Sequence, residues 1–221
     1  MPVPGKGGRY HHGDLRTALI GTAIELIAER GVRGFSLAEA SRRLGVAASA
    51  PYAHFADRDE LLAAVAVHAC ELFTTQFLPE MNQFQAPAAR LAALARSYVR
   101  FAGTNRPLFE VLFGTALDKR RHPEVKAAEK PLTDAVTQCV SALSTDGETP
   151  PEDLETAVEA TAHGHAMLLL DGDFGEGSDA VEFAAERAAR ATLALVESRH
   201  LLHRPAGGRG IQRGTVRAYP S

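Results

Sequence analysis

Between Ser36 and Arg58 the sequence gathers side chains suited to gripping phosphate oxygens. They are the hydroxyls of Ser36 and Tyr52, the imidazole of His54, and the guanidiniums of Arg42 and Arg58, with Arg43 beside them as the residue that, like Arg33, could supply a guanine contact instead. Such groups at helix ends hydrogen-bond to a nucleic-acid backbone without reading its bases. Among them lie Ala47, Ala48, Ser49, Ala50 and Pro51, which include no Arg, Lys, Asn or Gln, the side chains that make bidentate base contacts. The expected chemistry is close approach, with thymine-methyl contacts and DNA shape carrying sequence choice. Phe55 ends the stretch as an apolar anchor and belongs to the core.

Two short helices and a sharp corner are needed to present these residues. Ser36 followed by Glu39 is a capping box, in which the hydroxyl accepts from a first-turn amide and the carboxylate reaches back. Leu37, Ala40 and Leu44 recur at helical spacing, and Gly45 ends that helix because glycine takes the left-handed cap conformation. Val46 then turns back into the core, and the small Ser41 sits where the two helices cross. The second helix is expected at roughly 48–54, with Pro51 tolerated in its first turn. This is a helix-turn-helix pattern.

Gly45-Val46, a run of small residues, Tyr52-x-His54-Phe55 and then Asp57-Arg58-Asp59-Glu60-Leu61 together resemble the DNA-binding domain of the tetracycline-repressor (TetR/AcrR) family of bacterial transcriptional regulators. The likeness runs from about Gly13 to Ala66. It implies an all-α fold of about nine helices, a double-stranded DNA operator, a small-molecule effector, and a homodimer joined through the last two helices as a four-helix bundle. It also gives the helix that starts at Asp57 a second task, as the lever between the two domains.

The charge pattern agrees. The net charge is −3, yet residues 1–56 hold seven Lys or Arg against four acids, which leaves an acidic remainder. No run of 18 apolar residues suggests a membrane span, and the first residues lack the apolar core of a signal peptide, so a cytoplasmic location is expected. Cys70 and Cys139 lie far apart and read as reduced structural thiols.

The chain divides into a basic arm at 1–12, a DNA-binding domain at 13–56, a helical regulatory and dimerisation domain at 57–203, and a tail at 204–221. Asp14 to Arg30 forms the first helix, with Leu15, Leu19, Ala23, Leu26 and Ile27 as its apolar stripe. After the helix from Asp57 to Pro79, prolines at 87, 107, 123 and 151 mark helix starts. They predict helices at 87–104, 107–114, 123–144 with a kink before Pro131, and 151–171, followed by a last one at 179–203. Along that last helix Val181, Ala184, Ala188, Ala191, Leu195 and Leu202 form a stripe of mostly small residues. Arg100 to Gly114 and Ala162 to Gly172 resemble a regulatory-domain type in which a Trp precedes a His-Gly pair. Here His163-Gly164 is kept and Glu159 stands at the Trp position.

Tyr98, Phe101, Phe109, Leu112, Phe113, His163 and Met167 are the candidates for a small-molecule pocket, with a filled core as the alternative. No metal is expected, because His163 and His165 point about 200° apart on a helix. No cofactor is expected either, and no phosphate loop, nucleophile elbow or metalloprotease motif argues for an enzyme. The expected function is a DNA-binding repressor released by a ligand. A ligand sensor acting through protein partners, or a helical enzyme without a recognisable motif, stays open as the alternative.

Overall fold

In the computed structural model, residues 12–202 apart from 115 and 146–148 are described, so the basic arm and the tail lie outside the described residues save for His12. Eight α-helices and four short 3-10 turns carry these residues, with no strand among them. The helices are α1 (His12–Arg30), α2 (Leu37–Leu44), α3 (Arg58–Met81), α4 (Pro87–Thr104), α5 (Arg106–Phe113), α6 (Pro123–Leu143), α7 (Pro151–Leu170) and α8 (Ser178–Glu197). The 3-10 turns are Val32–Gly34, Ala50–Ala53, Lys119–Arg121 and Arg199–Leu202.

The missing ninth helix is the expected reading helix, which forms a single 3-10 turn at Ala50–Ala53. Pro51 is the cause. It has no amide hydrogen, and in an α-helix its ring would strike the Ala47 carbonyl. The backbone therefore tightens to three-residue bonds: Ala50 N to Ala47 O at 2.9 Å, Tyr52 N to Ser49 O at 3.2 Å, and His54 N to Pro51 O at 2.9 Å. The last helix is also shorter than expected, ending at Glu197 before a 3-10 turn. α6 continues through Pro131. Pro131 and Ala127 are both exposed, so water replaces the lost backbone bond. Pro87, Pro107, Pro123 and Pro151 all stand in the first turn of their helices.

α3 joins the two halves. It packs on α1 at one end of the fold and on α4, α5 and α6 in the body. By length and composition it resembles a membrane span, but buried side chains run along it from Leu61 to Met81, as in the core helix of a folded domain.

α4 is the body's centre, packing on α3, α5, α6, α7 and α8. Its approach to α8 is close because Gly103 has no side chain: a Cβ there would meet Val181 Cγ2 at 2.7 Å and Leu169 Cδ2 at 3.1 Å. The small stripe of α8 turns inward, with Ala184 and Ala188 fully buried. Arg96–Glu186 at 2.5 Å and Arg100–Glu182 at 2.6 Å flank the seam. Gly103→Ala is expected to destabilise the fold by about 1 kcal/mol net. Overpacking costs about 1–3 kcal/mol, and the better helix former returns at most about 1. Val181 is β-branched and stiff, so it yields little. A urea midpoint at or above the wild-type value would contradict this packing.

Candidate nucleic-acid interface and inner cavity

The corner between α2 and the reading turn is built by local chemistry. Ser36 caps α2, its hydroxyl accepting from Glu39 N at 3.2 Å. Glu39 does not reach back as a capping box requires. Its carboxylate is taken by the Arg42 and Arg30 guanidiniums, and the Arg42 bond holds its carboxyl below the usual range. Gly45 adopts φ 68°, ψ 24°, the left-handed cap, and Val46 N closes onto Ser41 O at 3.1 Å. Ser41 is buried, its hydroxyl donating to Leu37 O at 2.9 Å. Beyond the reading turn, Asp57 caps α3 by accepting from Glu60 N at 2.9 Å. Glu60 in return accepts from Ala56 N at 2.7 Å, which fixes the chain's exit from the reader.

On this frame Ala47, Ala48 and Ser49 are exposed, Ala50 is half-buried, and Tyr52 is 59% exposed. Pro51 turns inward and is buried, so its side chain is withdrawn from the reading surface. Phe55 is buried beneath the Arg16 guanidinium, 5.4 Å from its ring centroid. His54 is half-buried and borders a cleft of about 420 Å³ shared with Arg16, Asp57, Arg121, His122 and Glu124.

Three arginines expected at the DNA interface, Arg42, Arg43 and Arg58, have protein partners in the structure. Arg43 bonds both oxygens of Glu29 at 2.6 Å, which holds the Glu29 carboxyl below its usual range. Arg42 pairs with Glu39. Arg58 donates to the carbonyls of Phe35, at 3.2 Å, and of Val32, and lies 4.6 Å from the Phe35 centroid. These partners lie up to 26 residues away, beyond what local spacing signals. Arg33, with Arg43 the candidate for a guanine contact, is exposed and has no hydrogen bond or ion pair among the described residues.

A second feature lies inside the body. A cavity of about 360 Å³ is walled by Cys70, Phe73 and Thr74 of α3, by Leu94, Ala95 and Tyr98 of α4, and by Leu112 and Phe113 of α5. α6 adds Glu129, Leu132, Thr133 and Val136; α7 adds Glu155, Val158, Glu159 and Ala162; and Lys119 stands between α5 and α6. Burial, with the Glu159 charge added, pushes the Tyr98 phenol well up, so it keeps its proton. Its hydroxyl and His163 Nδ1 are hydrogen-bonded at 2.9 Å. Burial, then the Glu129 charge, pushes the Cys70 thiol up to about 12, so the cavity meets a thiol and not a thiolate.

Of the seven expected pocket residues, Tyr98, Leu112 and Phe113 border this cavity. Phe101 and Phe109 are core residues. His163 stands behind Tyr98, stacked on Phe109 with centroids 5.8 Å apart. Met167 is on the outer surface, 40% exposed. The cavity-facing positions on α7 are Glu155, Val158, Glu159 and Ala162, an i, i+3, i+4, i+7 face offset from His163 and Met167. Acids placed on that otherwise apolar face were the available signal. His165 Nδ1 is bonded to Thr161 O at 2.8 Å, and among the described residues no group of His, Cys, Asp and Glu is assembled to hold a metal.

Residues 19–65 match the family described as bacterial regulatory proteins, tetR family, and residues 91–196 match the tetracyclin repressor-like C-terminal domain. The chain belongs to the TetR family. It has the N-terminal helix-turn-helix and C-terminal helical domain of these transcriptional regulators. Among solved structures, a protein of unknown function from Rhodococcus sp. RHA1 is similar at 28% identity, covering 84% of this chain and 97% of that one, with TM-score 0.66. A tetR-family regulatory protein from Rhodococcus RHA1 is similar at 18% identity, covering 82% and 96%, with TM-score 0.66. AibR, solved in complex with isovaleryl coenzyme A and operator DNA, is similar at 21% identity, covering 82% and 97%, with TM-score 0.60. No curated protein matches the chain. The C-terminal match spans both stretches that resembled a TetR regulatory domain, Arg100 to Gly114 and Ala162 to Gly172.

Proposed function

We propose that the protein is a cytoplasmic homodimeric repressor that binds a pseudo-palindromic operator and is released by a small molecule in the cavity of the body. One observation carries this reading. α3 begins at the exit of the reading turn, where Asp57 caps it, and the same helix presents Cys70, Phe73 and Thr74 to the cavity. A ligand that favours one placement of α3 shifts the reader with it, provided its affinity differs between the two states. A second connection runs in parallel: Lys119 borders the cavity, and His122, three residues on, borders the cleft beside His54. AibR, solved with both operator DNA and a ligand, supports a two-site reading of this fold.

Two readers on a dimer are expected to enter successive major grooves roughly 34 Å apart. Tyr52, His54 and Ser36 are the phosphate grips, joined by the unpaired Arg33, while Ala47, Ala48, Ser49 and Ala50 form an almost bare reading surface. DNA selection with the purified full chain, followed by a screen for compounds that release the selected site, tests this directly. The expected product is a pseudo-palindrome whose half-sites are one helical turn apart and rich in thymine contacts. Recovery of no site would overturn the reading, and a sharp guanine-rich motif would overturn the bare-surface account of specificity.

A further inference from the structure

The charges on the cavity wall are unequal in sign. Lys119 is its one cation among the described lining residues, and Glu129 already holds that ammonium at 2.5 Å. Glu155 and Glu159, one helical turn apart on α7, have no hydrogen bond or ion pair among the described residues. Two carboxylates, half-buried Glu155 and exposed Glu159, therefore line the rim of the cavity without a counter-charge among the described residues. The same wall carries the rings of Phe73, Tyr98 and Phe113, with centroids 5.0–6.1 Å apart.

Carboxylates and aromatic faces both attract positive charge, and more strongly where water is displaced. The cavity already shows this chemistry with its own ammonium: Lys119 Nζ lies 5.6 Å from the Phe113 centroid while paired to Glu129. An anion meets the reverse arrangement, two unpaired carboxylates and a lysine already engaged. At about 360 Å³ the space is at the small end of ligand sites.

We propose that the effector is an organic cation, an amine or quaternary ammonium with a small apolar body, its charge held by Glu155 and Glu159 and its body set against Phe73, Tyr98 and Phe113. The proposal rests on the cavity being the effector site. Glu159, standing where the resemblance places a Trp, then marks a change from an aromatic to an acidic wall.

Calorimetric titration of the full chain with benzyltrimethylammonium and hexyltrimethylammonium, each beside its sulfonate counterpart, phenylmethanesulfonate and hexanesulfonate, tests the charge preference. Each cation is expected to bind about tenfold or more tighter than its sulfonate. The double variant Glu155→Gln/Glu159→Gln is expected to lose a similar factor with its thermal midpoint unchanged. Sulfonates that bind as tightly as the cations, or no heat from either cation at millimolar concentration, would overturn the proposal. So would full cation affinity in the folded double variant. If that variant does not fold, the charge-matched series on the wild-type chain decides alone. Release of a selected operator, followed by fluorescence anisotropy, separates this proposal from the reading it rests on. Cations that bind but leave the operator in place overturn the effector role and leave the cation site standing. Release by an anion or a neutral compound, with no cation bound, overturns the cation class and leaves the effector role standing.

Discussion

Phe183→Glu is expected to split the proposed homodimer and lower affinity for the full operator by about 10²–10⁴-fold, the factor that tethering a second reader supplies. The small-residue stripe of α8 is used inside the protomer against α4, so it is not the surface left for a twin. What faces outward is larger and apolar. Phe183 is 51% exposed, and Met167 and Leu168 of α7 are 40% and 43% exposed. Arg187 lies over the Phe183 and Phe174 rings at 5.5 and 6.0 Å, a rim charge bordering the patch. In the proposed dimer a two-fold axis would bring the same patch from each protomer together. A glutamate at position 183 would place a charge in that apolar contact from both protomers, and Arg187 one turn on can pair with it only by leaving the rim, which disfavours association. Within the protomer the side chain is exposed, so folding is not expected to suffer. Sedimentation velocity should show a monomer, and anisotropy should show half-site affinity near wild type with full-site affinity lost. A variant that stays dimeric, or a monomer that keeps full-site affinity, would remove this face from the assembly.

How much of this was legible in the sequence depends on the range of the interaction concerned. Signals that act within one turn of helix were readable: Gly45 as a left-handed stop, Ser36 and Asp57 as caps, and the four prolines as helix starts. Pro51 was read by the same local logic but fell one position too deep for an α-helix beginning at residue 48, and the reading element tightened to a 3-10 turn. Glu39 shows the next limit. Its spacing from Ser36 is that of a capping box, yet two guanidiniums compete for the carboxylate and win. The cavity was the least legible feature. Aromatic residues flagged both it and the core, and separating Tyr98 from Phe101 requires knowing which side of α4 meets a void, a property of how five helices fail to fill a space.

Arg58→Ala is expected to lower stability by about 2 kcal/mol, toward the low end of what losing its partners implies. The side chain reaches from the first turn of α3 to the link between α1 and α2, donating to the Val32 and Phe35 carbonyls while its plane covers the Phe35 ring. Val32 and Phe35 are both buried, so alanine leaves two carbonyls short of a donor, at about 1–3 kcal/mol each. The lost cation–π contact adds about 0.5–1 kcal/mol. The side chain is 33% exposed, so water enters part of the gap and offsets part of that sum. Arg58→Lys is expected to fall between, because an ammonium keeps the charge but not the planar fork that serves both carbonyls. The alternative, a phosphate contact, has a different signature. Removing one phosphate contact leaves stability near wild type and reduces the salt slope of operator binding by about 0.9. An anchor does the opposite, shifting the urea midpoint while the folded variant keeps the wild-type slope. The two measurements together decide whether Arg58 holds the reader's frame or the DNA, and a stable variant with a shallower slope would return it to the phosphate.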